Sequence, residues 1–395
     1  MNTFELNRWV EAICMYDEVV ARFGSAIEPE LREKVAVALF SKGDALEHLA
    51  RLEEAVDTYS EMVTRFGSAT EPALQEWVGR ALVLKGGALD RLGLPEEAIT
   101  TYDDIVVRFD KYPEFGPREK VAIALANKSS VLGRLGRPEE VISVCEEVVT
   151  KFGGDIDPVM RELAALSLLN NGLALGQLDR LEDAIAVYDE INGRYGNSPE
   201  LTLREKVATA LFNKGIALDQ LNLTEESISV FDEAIGKFDS DTDPVMYELV
   251  ATTLLTKGIV LQRVARLEEA IDTYSEVITR LSGDIEPTLR ECVAWSILNK
   301  GSALDQLGQL EEAMASYSEV VARFGDDTEF ELLEQVPIAL FNVGATLDRL
   351  GRPEEAMDVF DEVVTRFGDD AEPTLRGVVA EALIGKGDIL ARLRQ

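Results

Sequence analysis

The chain has 395 residues, 73 acidic against 39 basic, a net charge of −34 at pH 7 and 46% hydrophobic residues. That apolar content excludes an intrinsically disordered chain. The charge argues against DNA, RNA and anionic membrane surfaces as partners, because polyanions repel one another, and it favours a basic partner.

The N-terminal stretch MNTFELNRWVEAIC lacks the basic start and apolar core of a secretory leader. No run approaches the eighteen or so apolar residues of a membrane span. Cys14, Cys145 and Cys292 lie far apart, without metal-ligand spacing, as suits a reducing compartment. The expectation is a soluble cytoplasmic protein.

In chain order, residues 1–25 read as a partial unit whose helix runs from Trp9 to Phe23. Helix pairs are predicted at 29–67, 72–110, 115–153, 158–196, 201–239, 244–282, 287–325 and 330–368, and an unpaired last helix at 373–395. The period is 43 residues, without insertion or deletion. Six of the nine first helices begin at an acidic residue and proline, as at Glu71-Pro72, Asp157-Pro158, Asp243-Pro244, Glu286-Pro287 and Glu372-Pro373, a helix-start pattern. A glycine such as Gly93 closes it. The second helix starts at a PEEA or LEEA sequence and is expected to bury Ala55, Val56, Tyr59, Val63 and Phe66. Pro337 is expected to interrupt the helix of its copy.

Several columns repeat with the period. A lysine recurs at Lys42, Lys85, Lys128, Lys214, Lys257, Lys300 and Lys386, with Asn171 and Val343 at the other two places. A glycine follows in every copy except at Ser129, and a leucine three further on runs from Leu46 to Leu390 without exception. An aromatic, such as Tyr59 or Phe231, recurs in the second helices except at Cys145. Glycine at one level of nearly every first helix points to close helix–helix approach there.

In KGDALEHLARLEEAVDTYSEMV, Gly43, Leu46, Ala55 and Tyr59 stand where the tetratricopeptide repeat (TPR) family carries its signature, and the chain resembles that family throughout. The unit departs from the usual 34-residue TPR by a first helix lengthened ahead of the signature. The resemblance implies an all-α fold, an α-α superhelix of about 18 helices, whose first helices line a concave groove for a peptide or protein. It also implies a scaffold without catalysis.

On that face Asn127, Asn170, Asn213, Asn299 and Asn342 are the candidates for holding a peptide backbone, since an amide both donates and accepts. The alternative is bonding to the neighbouring repeat. Arg91, Arg134, Arg263 and Arg349 lie one turn later and offer charge to an acidic peptide, unless they pair with neighbours such as Asp90 or Asp348. The lysines fall toward the packed side and are expected to be structural, answering the acidic column Glu18, Glu61, Asp104, Glu147, Glu190, Glu233, Glu276, Glu319 and Glu362 or residues such as Glu54.

Catalytic and cofactor signals are missing. His48 is the only histidine and reads as a surface variant. The GKG at Gly385 lacks the rest of a phosphate loop. No cofactor or metal is expected. Two further readings stand beside the interaction scaffold. One is a self-assembling solenoid joined head to tail through end helices that lack polar caps, although the same lack of caps is expected of a piece excised or truncated from a longer array. The other is a sensor segment of a larger effector.

Overall fold

The computed structural model describes residues 3–111, 118–239, 241, 243–281, 283, 287–325, 334–368 and 372–393. Among the described residues the chain forms α1 (Thr3–Phe23), α2 (Pro29–His48), α3 (Leu52–Phe66), α4 (Pro72–Arg91), α5 (Pro95–Lys111), α6 (Arg118–Arg134), α7 (Pro138–Phe152), α8 (Pro158–Gln177) and α9 (Leu181–Tyr195). There follow α10 (Leu201–Gln220), α11 (Thr224–Phe238), α12 (Pro244–Arg263), α13 (Leu267–Arg280), α14 (Pro287–Gln306), α15 (Leu310–Phe324), α16 (Gln335–Arg349), α17 (Pro353–Phe367) and α18 (Pro373–Leu393). Even-numbered helices are the first of each pair and odd-numbered the second. The fold class is all-α, a solenoid of helix pairs. Two compact units divide it, residues 1–210 and 211–395, with the boundary inside α10. In the first unit α2 touches α4, α4 touches α6 and α6 touches α8; in the second α12, α14, α16 and α18 follow the same rule. The first helices thus form a continuous layer within each unit.

Helix starts differ from the expectation in one respect. The side chains of Asp157 and Asp243 accept from the backbone N–H groups of Val159, Met160 and Val245 and so cap α8 and α12. Glu28 and Glu71 precede proline in the same way but make no cap bond. A glutamate is one methylene longer, and Glu71 instead accepts from Arg32 of the preceding first helix. Glu286 lies outside the described residues. α1 begins at Thr3, six residues before the expected start. Pro337 stands in the first turn of a shortened α16 rather than inside a full-length helix.

After each first helix from α2 to α16 the chain turns through a left-handed residue. Gly93, Gly136, Gly308 and Gly351 take φ of 66 to 75°, whereas Ala50, Asp179, Asn222 and Ala265 hold 56 to 61° without glycine's freedom. The two alanines each carry strain of roughly 1 kcal/mol.

The core of seven of the eight described pairs is a ring seated on a glycine. A Cβ built on Gly86 falls 2.5 Å from Cε1 and 2.7 Å from Cζ of Tyr102. Tyr59, Tyr188, Phe231, Tyr274, Tyr317 and Phe360 occupy the same place over Gly43, Gly172, Gly215, Gly258, Gly301 and Gly344. Around the ring the second helix α3 buries Ala55, Thr58, Met62 and Phe66; Val56 and Val63, expected in the core, are only half-buried. The two exceptions to the columns fall in one pair. Ser129 and Cys145 face each other and hydrogen-bond, and the serine hydroxyl also donates to Ala126 O at 2.8 Å. A small residue has replaced the ring, and a side chain has entered where the others need none.

Burial pushes the thiols of Cys145 and Cys292 up to about 12, from an ordinary value of 9.0. Raised folded values mean that this contribution to stability is complete below about pH 9 and is lost as pH rises toward 12. At pH 8 a thiol reagent such as DTNB is expected to titrate only the exposed Cys14 quickly, the other two reacting at the rate of unfolding. Rapid reaction of all three would contradict this burial.

One expectation needs correction. α12, Pro244–Arg263, is long and apolar enough to cross a membrane by length and composition, although the sequence reading found no such run. In the array it packs against α11, α13 and α14, and Lys257 within it pairs with Asp232. The leucine column is buried at Leu46 (1% exposed) and open at Leu390 (41%).

Candidate interaction face

The free face of the first helices is built from positions that the ring–glycine joint leaves outward. On α10 these include Glu205 in the first unit and Phe212, Ile216, Asp219 and Gln220 in the second, with Asn213 at the margin. Asn127, Asn170, Asn213, Asn299 and Asn342 are all half-buried. Two of them turn inward. Asn127 hydrogen-bonds Tyr102, and Asn170 Nδ2 donates to Ser129 Oγ of the preceding first helix at 3.1 Å.

The arginines form a ladder between successive first helices. Arg91 reaches Glu47 at 2.9 Å, and Arg134, Arg263, Arg349 and Arg392 reach Asp90, Asp219, Asp305 and Asp348. Each bridge spans 44 residues, so Asp90 and Asp348 serve the following repeat and not the arginine beside them. Exposed pairs of this kind contribute at most about 1 kcal/mol each. Their effect on the face is larger in sign than in energy, because each guanidinium already faces a carboxylate.

The lysines point back to the previous second helix. Lys42 and Lys257 lie 2.6 Å from Asp17 and Asp232, and Lys128 and Lys386 pair with Asp103 and Asp361. Lys214 is also engaged. At Lys85 and Lys300 the residue 25 earlier is serine, Ser60 and Ser275. The acidic column expected to receive the lysines is used otherwise. Glu18, Glu61, Glu147, Glu190, Glu276, Glu319 and Glu362 bind the basic residue four positions on in their own helix, Arg22 to Arg366. The four lysine partners stand one position earlier, just after the aromatic. Glu54 likewise pairs with Arg51. His48 is half-exposed and stacks on Trp9 with ring centroids 4.6 Å apart.

Sequence reading missed a column on this face. Glu33, Glu76, Glu119, Glu162 and Glu205 in the first unit, and Glu248, Glu291 and Glu334 in the second, repeat in eight successive copies, with Gly377 in the ninth. Eleven residues on, at about 100° per residue, lies a position only about 20° around the helix. There Leu173 and Ile259 are 44% and 47% exposed. In those copies one stripe carries a carboxylate at one end and an apolar residue three turns later, whereas Asp44, Ser130, Ser302 and Asp388 make the same place polar elsewhere.

Within the second unit a cavity of about 720 Å³ opens on this face between α16 and α18. Phe341, Ala345, Phe360 and Ile384 give it apolar walls, and Glu381 and Asp388 add negative charge. Gly385 stands in its lining where five other copies place an asparagine, and it lies close against the buried ring of Phe360. Among the described residues no group of three or more potential metal ligands occurs.

A family model described as tetratricopeptide repeat matches residues 169–242 and 298–371, and a second, described as tetratrico peptide repeat, matches 79–195. Together they cover more than half of the chain. The chain belongs to the TPR family. No curated protein matches it. Among solved structures the apo form of RapI aligns over 98% of both chains with a TM-score of 0.57 at 13% identity, which shows a shared fold alone. The TPR protein YrrB, described as having an unusual peptide-binding site, aligns over 62% of this chain and 97% of its own at 17% identity and a TM-score of 0.38. MamA from residue 41 to its end, from Desulfovibrio magneticus RS-1, aligns over 53% and 97% at 17% identity and 0.39. As a TPR protein this chain is a repeat scaffold of the kind typical of protein–protein interaction, built from 43-residue units.

Proposed function

We propose that this TPR array, without catalysis of its own, holds an extended basic segment of a partner protein along the free face of its first helices. The observation that carries the reading is the cavity between α16 and α18, with aromatic walls and carboxylates at Glu381 and Asp388. A lysine or arginine has an apolar stem and a charged head, and fits such a lining better than an acidic residue does. The ladder arginines favour the same sign of partner, because their charge is already matched and little is left for an acidic peptide. The net charge of −34 would speed encounter with a basic segment. The asparagines whose side chains stay outward would contact the peptide backbone. Cysteine usage supports a cytoplasmic setting.

A peptide array with lysine- and arginine-rich, neutral and acidic segments tests the reading. The wild type is expected to retain basic peptides. Glu381→Lys with Asp388→Lys is expected to weaken retention at least tenfold with an unchanged helical spectrum. Equal retention of acidic and basic peptides, or none, would overturn it.

A further inference from the structure

Near the end of the second helices a basic residue takes the carboxylate four positions before it. Arg65, Arg194, Arg280, Arg323 and Arg366 meet Glu61, Glu190, Glu276, Glu319 and Glu362. Arg194 shows how the guanidinium is divided. Its Nη1 donates to Gly153 O, in the loop one repeat earlier, at 3.0 Å, and its Nη2 meets Glu190 at 2.5 Å. Arg108 on α5 keeps the first contact, with Nη1 donating to Gly67 O. The residue four positions before it is Asp104, one methylene shorter than glutamate. Among the described residues no carboxylate pairs with Arg108, and its Nε–H is buried without an acceptor. Nε and Nη2 share one edge of the guanidinium, and such an edge takes a carboxylate or two phosphate oxygens through parallel hydrogen bonds.

Arg108 lines a cavity of about 370 Å³ together with the loop 67–70, Gln75 and Phe109, and none of these residues is acidic. Gln75 is buried, and its amide donates to Phe66 O at 3.2 Å and Ala69 O at 2.7 Å, which fixes the loop. Neighbouring copies carry Arg32 and Arg118 in its place, paired with Glu71 and Asp155. The glutamine brings neither that second cation nor its carboxylate. The equivalent cavity one repeat earlier is lined by Arg32 and Arg65, and Glu71 and Glu61 already take both.

We infer that the cavity beside Arg108 binds a small organic oxyanion, a carboxylate or phosphate monoester with a compact apolar body. Its head takes the place of the missing glutamate carboxylate on the Nε–Nη2 edge. The hydroxyls of Ser68 and Thr70 belong to the same lining and offer donors for the remaining oxygens, while Ala69 and Phe109 give the body an apolar wall. The volume is several times the roughly 30 Å³ of a water molecule and falls in the range of small-ligand pockets, so a bare ion underfills it. The site does not depend on the proposed peptide binding, because its lining shares no residue with the cavity between α16 and α18.

Ligand-observed NMR titrations of the full chain at fixed ionic strength test the inference, with benzoate, phenyl phosphate, inorganic phosphate and the uncharged benzamide as probes. Benzoate or phenyl phosphate is expected to saturate at about millimolar concentration, roughly tenfold or more below inorganic phosphate, which has no apolar body. Benzamide should not bind. The tighter of the two aromatic anions tells a carboxylate ligand from a phosphate ester. Asp104→Glu adds one methylene at an exposed position and gives Arg108 the partner its column has elsewhere. Its helical spectrum and unfolding midpoint should match or exceed the wild type, and its affinity for the anion should fall roughly tenfold or more. Arg108→Gln should lose binding, and Arg65→Gln, in the cavity one repeat earlier, should leave it unchanged. Failure of both aromatic anions to saturate overturns the inference. So does benzamide binding as tightly as benzoate, or an Asp104→Glu variant that binds like the wild type.

Discussion

Gly86→Ala is expected to lower stability by about 2 kcal/mol, whereas Gly87→Ala, one residue along the same helix, should raise it by about 0.5 to 1 kcal/mol. Both sit in the interior of α4, where alanine is the better helix former. Propensity therefore favours both substitutions equally. The difference is what the new methyl meets. At Gly87 there is nothing within 4 Å; at Gly86 the methyl enters the ring of Tyr102. That ring is 1% exposed and packed among core residues, so it cannot step aside as the end of a surface chain would. Overpacking costs typically 1 to 3 kcal/mol, which exceeds the propensity gain. Urea unfolding followed by circular dichroism reads both shifts. Midpoints and slopes should be compared together, since a weakened joint in a repeat array can split the transition. A stabilised Gly86→Ala variant would show that the ring yields and that the glycine column has another cause.

The same two glycines mark how far the sequence could be read. The period, the helix pairs and the close approach at the glycine column were legible because each depends on residues at a fixed spacing. The identity of what approaches was not. The ring comes from the second helix of the same pair, 16 residues on, and only the fold shows it over the glycine rather than beside it. The lysine partners were misread for a related reason. Asp17 and Glu18 are adjacent in sequence but about 100° apart on the helix, and only Asp17 faces α2. The arginine ladder had left a trace. Where its acidic column reads Gly133 or Gln262, the residue 44 later is Gln177 or Gln306 instead of arginine. The cavity of the candidate site had none, because it is lined jointly by α16, α17 and α18, which no spacing within one copy brings together.

The third pair offers a test in the opposite direction. Cys145→Tyr restores the column's aromatic, yet it is expected to destabilise by about 3 kcal/mol, because the Ser129 side chain occupies the seat. Ser129→Gly alone should also destabilise, by about 1 to 2 kcal/mol. It removes the hydrogen bonds to Cys145, Ala126 and Asn170 and adds a glycine to a helix interior. Additive behaviour would make the double variant the worst of the three. The joint predicts the reverse. Ser129→Gly opens the seat that Cys145→Tyr fills, so the pair should recover most of the loss, with a favourable coupling of about 2 to 3 kcal/mol in a double-mutant cycle. Asn170 limits the recovery, since its amide loses the serine acceptor it uses now. A coupling near zero would mean that Ser129 and Cys145 depart from their columns independently, and that ring and glycine are not one structural unit.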